Sequence, residues 1–212
     1  MSDDWFRNEI WTEEIETKFF ARLDRARSGR DQYLAIQCIT LADRDPETAL
    51  KLVEIYFDTR KSTSDDNRVF EAKARAHLAL ENTEAEIEAY AAVLNHEADH
   101  PYSLTNVAIE LPYLIASQSR VGKYGLAKSA LAFAEHHELN FFPVLRFKFH
   151  AAHALIASEE GHACAAQMHA LKALEEAVVT DSGLPYHQTL GLVRHVESYV
   201  MARLRELIEL GA

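Results

Sequence analysis

Glycine and proline are scarce. Seven Gly and five Pro in 212 residues are too few to turn the many short strands of an all-β chain of this length. Cysteine is scarcer still: Cys38 and Cys164 stand apart, each in an apolar, helix-like stretch. That excludes a disulfide framework, and neither Cys has the His partner of a catalytic thiol. No apolar run reaches the roughly 18 residues of a membrane-crossing helix. The start, MSDDWFRNEIW, is too acidic and too poor in apolar residues for a secretory leader, so a cytoplasmic location is expected, with no membrane partner.

Positive charge is also short. Lys plus Arg is 22 against 33 Asp plus Glu, a net charge of -11, and such a chain repels polyphosphate. The best basic run, Arg22, Arg25, Arg27 and Arg30, is interrupted by Asp24 and Asp31 and reads as a solvated helix face. No nucleic-acid partner is expected. Phosphate loops and nucleophile elbows are missing too. GKYG at 122–125 lacks the spacing of a nucleotide cradle and leaves Lys123 a solvated turn residue; no Ser sits in G-x-S-x-G.

What the chain does have is alanine mixed with Leu, Glu, Lys and Arg, the good helix formers. Apolar residues recur at three and four: Phe19, Phe20, Leu23; Leu34, Cys38, Leu41; Leu50, Val53, Phe57. That is helix periodicity. Asp45-Pro46 reads as an N-cap followed by proline at the first helical position, and Asn82-Thr83 with Glu86 has capping-box spacing. Pro143 and Pro185 are placed to open helices in the same way. The pattern predicts helices over 12–27, 31–43, 46–58, 66–81, 84–97, 103–119, 123–138, 143–158, 161–179 and 185–209. Short links between them make antiparallel hairpins.

The hairpins repeat. Residues 122–134, GKYGLAKSALAFA, and 161–173, GHACAAQMHALKA, share Gly, then Ala five later, then Ala seven beyond. Ala49, Ile87, Ala127 and Ala166 occupy one position at spacings of 38, 40 and 39 residues. Small residues there let two helices approach, and a Gly at the turn supplies a reversal that other residues resist. This helix-turn-helix signature resembles the tetratricopeptide repeat over residues 31–180. The consensus aromatic of the second helix is Val53, Ala91, Leu131 and Ala170 here, and the period is longer than the family's usual ~34. The period leaves other α-solenoid repeats open. The N-terminal DDWFRNEIW with TKFFARLDRAR and QYLAIQ is similar to uncharacterised bacterial proteins of that family. The resemblance implies an all-α, right-handed superhelical stack of antiparallel helix hairpins, about ten helices in one domain. Residues 1–30 would form an N-terminal capping segment and helix, 31–180 four hairpins, and 181–212 a capping helix.

One stretch argues for chemistry instead. His96-Glu97-Ala98-Asp99-His100 is a literal HExxH. Two His at i, i+4 on a helix are offset by only about 40°, so both reach one Zn²⁺, and the Glu polarises the metal-bound water. Against this, Asp99 adds a charge inside the motif, Pro101 biases His100 out of helical geometry, and Glu110 is the only acidic residue of the following helix. The bland reading is a helix end where imidazoles meet terminal carbonyls. His150, His153, His162 and His169 gather on one hairpin and read as packed, hydrogen-bonded histidines before they read as ligands. Trp5, Phe6 and Trp11 read as a cap on the first helix pair.

These readings converge on a non-enzymatic scaffold or adaptor with no cofactor. It would bind another protein or a peptide on the face made by the first helix of each pair. Lys73, Asn106, Tyr113, Arg120 and Lys148 are the candidate contact residues there, since polar and aromatic groups suit an extended backbone or a carboxylate. The alternatives are a zinc-dependent hydrolase through His96, Glu97 and His100, and a self-assembling protein, for instance a homodimer, using the amphipathic last helix.

Overall fold

The computed structural model describes residues 4–100, 104–139 and 142–209. Among them are ten α-helices and no strand. None of these helices is long and apolar enough to cross a membrane. In chain order they are α1 (Glu13–Leu23), α2 (Arg30–Leu41), α3 (Pro46–Thr59), α4 (Asp66–Ala79), α5 (Thr83–Asp99), α6 (Val107–Ser117), α7 (Tyr124–His136), α8 (Pro143–Glu159), α9 (Ala163–Ala177) and α10 (Ser198–Glu209).

Local chemistry sets many of the ends. Thr12 caps α1 by accepting from the Ile15 amide, and Glu13, Glu14 and Glu16 place negative charge at its positive end. Asp45 accepts from the Thr48 amide and Pro46 opens α3, as expected. The capping box at α5 does not form as expected. Asn82, not Thr83, is the cap and accepts from Ala85 N–H. The Asn82 N–H is donated to the carbonyl of His77 at 2.9 Å. Glu86 is left buried, and burial pushes its carboxyl up to about 7.

The helices gather into two compact units, Met1–Thr105 and Asn106–Ala212. In the first, α2 packs on α3 and α4, and α4 packs on α5. Leu34, Cys38, Leu41, Leu52, Val53 and Val69 fill its core with the buried faces of Phe19 and Leu23 from α1. Each such side chain contributes about 1.5–3 kcal/mol by leaving water. The N-terminal aromatics do fold back onto this core. Phe6 stacks on Tyr33 with centroids 4.7 Å apart, while Trp5 and Trp11 lie 5.4 and 5.3 Å from Phe19. Asn8 fixes them by exchanging hydrogen bonds with the buried Gln37, donating its amide at 2.9 Å and accepting from Nε2 at 2.7 Å.

In the second unit α6 pairs with α7 and α8 with α9, α6 packs on α8, and α10 covers α9 and the edge of α8. Each unit thus holds two hairpins whose first helices touch. Ala49, Ile87, Ala127 and Ala166, the position repeated in the sequence, are all 0–1 % exposed. The companion position is buried at Tyr56, Ala134 and Ala173, but Leu94 is half-buried because α5 turns Val93 and Glu97 inward instead.

The turns depart from expectation in an instructive way. Gly161 adopts φ +80° and closes α8, as its glycine suggests. Gly122 does not play that part: it lies in a 3-10 turn, Val121–Lys123. Ser119 takes the left-handed conformation there (φ +52°), and Glu81 does so after α4 (φ +56°). In each case the next amide donates to a carbonyl five residues back, Arg120 to Ile115 and Asn82 to His77, both at 2.9 Å, and His162 to Ala157 at 2.8 Å. This is the Schellman closure. The bonds hold the reversal even where the residue is not glycine.

The last helix is shorter than the sequence pattern implies. Residues 185–209 do not form one helix: α10 begins at Ser198, and Pro185 opens nothing. Gly191 sits at φ +70°, incompatible with a helix. Leu192, Val193 and Val196 consequently lie in an irregular segment, and Val200 and Leu204 carry the burial of α10.

Candidate functional site

The HExxH residues fall at the end of α5. His100 is its C-cap, with φ -133° and ψ 68°, so the helix stops inside the motif; Pro101 lies outside the described residues. The His96 and His100 rings stack, centroids 4.3 Å apart and 16° from parallel. Glu97 turns the other way. It is fully buried, its Oε1 accepts from the Thr105 amide at 2.7 Å, and burial raises its pKa. A carboxylate committed to a backbone amide is not poised beside a water shared with the two imidazoles. His96 instead faces Asp66, Nε2 to Oδ2 4.0 Å. Asp66 accepts from the Tyr56 hydroxyl at 2.9 Å and pairs with Arg60 Nε at 2.9 Å. Among the described residues no three His, Cys, Asp or Glu are placed to hold a metal ion.

A second histidine group lies between α8 and α9. His150 and His169 meet Nδ1 to Nδ1 at 3.0 Å, and His153 stacks on His169 at 4.6 Å. His162, on the same hairpin, is not part of it; it stands exposed at the start of α9 near Glu160. Burial, then the neighbouring His169, lowers His150 and His153 to about 4. Neutral imidazoles of this kind donate one ring N–H and accept at the other nitrogen, which is what a His–His contact requires. Of the cysteines, burial pushes Cys38 up to about 12, far from a reactive thiolate, and Cys164 is exposed on α9.

The candidate contact residues separate. Lys73 belongs to α4 in the first unit and is half-buried. The other four are in the second unit. Asn106 is the exposed N-cap of α6 and Arg120 lies exposed beyond its far end. Tyr113 and Lys148, from the successive first helices α6 and α8, come together. The Lys148 ammonium stands 5.5 Å from the centroid of the Tyr113 ring and pairs with Glu110 Oε2 at 2.5 Å. The Tyr113 hydroxyl donates to Glu197 Oε2 at 2.7 Å. Burial and then Glu197 hold the Tyr113 phenol above its ordinary pKa, so it is a proton donor to carboxylates at any physiological pH.

No family model, no curated protein and no solved structure matches the chain. The reading of the site therefore stands on its geometry.

That geometry places two hydrogen-bond donors from two helices side by side, each on a carboxylate. The Tyr113 phenol holds the carboxylate of Glu197, 84 residues downstream, and the Lys148 ammonium beside it holds that of Glu110. Next to it, α6, α8 and α10 enclose a cleft of about 310 Å³ lined by Ser117, Leu155, Glu159, Tyr199 and Arg203 among others. Sequence reasoning reached Tyr113 and Lys148 as polar or aromatic residues on first helices. It missed Glu197 and Asp66. The helical spacing of the last segment puts Glu197 mid-helix, whereas the structure leaves it in the irregular stretch that follows Gly191. Asp66 closes the polar loop TRKSTSDD, and nothing in such a run distinguishes a buried Asp from a solvated cap.

Proposed function

We propose that the chain is a non-enzymatic binding module that holds an extended segment of another protein on the α6–α8 face. The hairpins would continue the tetratricopeptide-like pattern as a right-handed superhelical stack, whose first helices line the inner face. The observation that carries the reading is the meeting of Tyr113 and Lys148, from two consecutive first helices: the ammonium stands 5.5 Å from the phenol ring, and each donor holds a carboxylate, Glu197 for Tyr113 and Glu110 for Lys148. Side chains that come from separate helices and offer donors to a carboxylate suit a peptide lying across those helices. The net charge of -11 does not oppose this, because the donors are local, Tyr113 buried and Lys148 half-buried. The acidic composition fits a protein partner, here placed in the cytoplasm, better than a nucleic acid.

A peptide-display library selected on the intact protein tests the proposal. Peptides enriched on the wild type should share an acidic residue. They should bind Tyr113→Phe/Lys148→Ala at least about tenfold more weakly, the equivalent of one charge-assisted hydrogen bond. Enriched peptides that bind the double variant equally well would remove the α6–α8 face from consideration.

A further inference from the structure

The segment between α9 and α10 is long, irregular and docked at two points. Its first half closes on itself. Ser182 N–H donates to Gln188 O at 2.8 Å, Ser182 Oγ to His187 O at 2.9 Å, and Leu190 N–H to His187 O at 2.9 Å. This loop stands out from the protein, with Tyr186 93 % exposed. The second half lies on the first helices. The carbonyl of Gly191 accepts from the amide of Val144 at 2.8 Å. Val144 is the second residue of α8, where an amide has no acceptor within its own helix. Gly191 is pressed so closely onto Phe142 that a Cβ there would lie 2.4 Å from the ring. Leu192, Val193 and Val196 are half-buried. Glu197 then reaches Tyr113, and α10 begins.

These are the contacts of a bound peptide. A backbone carbonyl caps a helix N-terminus, a glycine permits close approach, small apolar side chains cover the helices, and a carboxylate meets the phenol six residues on. Each would be available to an external segment if the strap left. The strap is held by few bonds, and its neighbouring loop is solvated, which places it at the low-stability end of the unit.

We infer that residues 191–197 occupy, in cis, the place of the ligand on α6 and α8. The ligand is then an extended segment with an acidic side chain, and the strap is its intramolecular competitor. The inference rests on the reading of the α6–α8 face as a peptide site. A tethered occupant acts at a millimolar effective concentration, so a free peptide sees only the fraction of molecules whose strap is undocked.

The test uses the full chain and a fluorescein-labelled peptide of residues 184–198 as probe, with binding read by anisotropy. Two variants release the strap independently: Glu197→Ala removes the carboxylate, and Gly191→Ala forces the backbone off Phe142. Either suffices if the other fails to fold, and far-UV circular dichroism reports which. The probe should bind the released variants at least about tenfold more tightly than the wild type. Adding Tyr113→Phe and Lys148→Ala should abolish that gain. Hydrogen exchange at the Val144 amide should be slow in the wild type and fast in both variants. Equal probe affinity in wild type and released variants, lost on changing Tyr113 and Lys148, overturns the competition and leaves the peptide site standing. A Val144 amide that exchanges equally fast in all three also overturns the docked strap. No probe binding to variants whose Val144 amide is demonstrably released overturns both the inference and the peptide reading.

Discussion

The hydroxyl of Tyr113 in α6 donates to Oε2 of Glu197 at 2.7 Å, joining residues 84 positions apart. The bond lies just before α10, on the ring that Lys148 faces. It ties the C-terminal segment to the face on which a ligand is proposed to bind. Tyr113→Phe deletes one hydrogen bond to a partly solvated carboxylate. It is expected to cost about 1–2 kcal/mol, read as a lower urea midpoint, and to loosen residues 191–197 before the rest of the second unit. A variant as stable as the wild type with an unchanged exchange pattern would show that the bond does not hold the strap.

Glu86 gives a pH signature. Burial pushes its carboxyl up to about 7 in the fold, against 4.5 for an exposed glutamate. Below 4.5 it is neutral in both states and costs nothing; between 4.5 and 7 the unfolded chain sheds the proton that the folded chain keeps, so stability falls as pH rises. Glu86→Gln should therefore stabilise by on the order of 2 kcal/mol at pH 8 and hardly at all at pH 4.5. Thermal melts at the two pH values measure it, and an equal effect at both would contradict the burial argument.

The histidine group has the opposite sign. His150 and His153 are lowered to about 4. As pH falls from 6.5 toward 4 the unfolded chain takes up protons that the folded chain refuses, and stability drops. Lys172 adds to this on His150 and His169, while Glu135 opposes it on His169. His150→Gln with His153→Gln should flatten the acid slope between pH 6.5 and 4.5, monitored by melting temperature. A slope identical to wild type would place the acid sensitivity elsewhere.

The turn at Ser119 offers a stabilising change. A left-handed residue other than glycine costs about 1–2 kcal/mol, partly offset by the extra freedom glycine gives the unfolded chain. Ser119→Gly should gain about 0.5–1 kcal/mol in denaturant melts. Gly161→Ala at the corresponding turn should lose about 1 kcal/mol. The reverse order would mean that the serine side chain does something the turn geometry does not record.

The all-helical class, nine of the ten helices and the four-hairpin rhythm were readable because apolar periodicity and caps are local properties, and Ala49, Ile87, Ala127 and Ala166 advertise the rhythm. The tenth helix was overextended. Leu192, Val193 and Val196 continue the helical spacing of Val200 and Leu204, and only the backbone conformation of Gly191, set by contact with Phe142, breaks it. The turn residues were half legible: Gly161 announces itself, whereas Ser119 and Glu81 are held in place by hydrogen bonds to Ile115 and His77. Of the site, Tyr113 and Lys148 were within reach. The bond from Tyr113 to Glu197 was not, because it depends on the path of the chain between α9 and α10. The HExxH stretch reads as a helix end in the sequence, but that Glu97 faces the core and Thr105 is a detail that sequence spacing does not report.

Hydrogen exchange over the whole chain, with and without a peptide selected on the wild type, tests the central claim most directly. Peptide occupancy of the α6–α8 face predicts slower exchange in α6 and α8 together with faster exchange at residues 191–197. Protection confined to residues 4–100, or protection of α6 and α8 with the strap equally slowed, would contradict it.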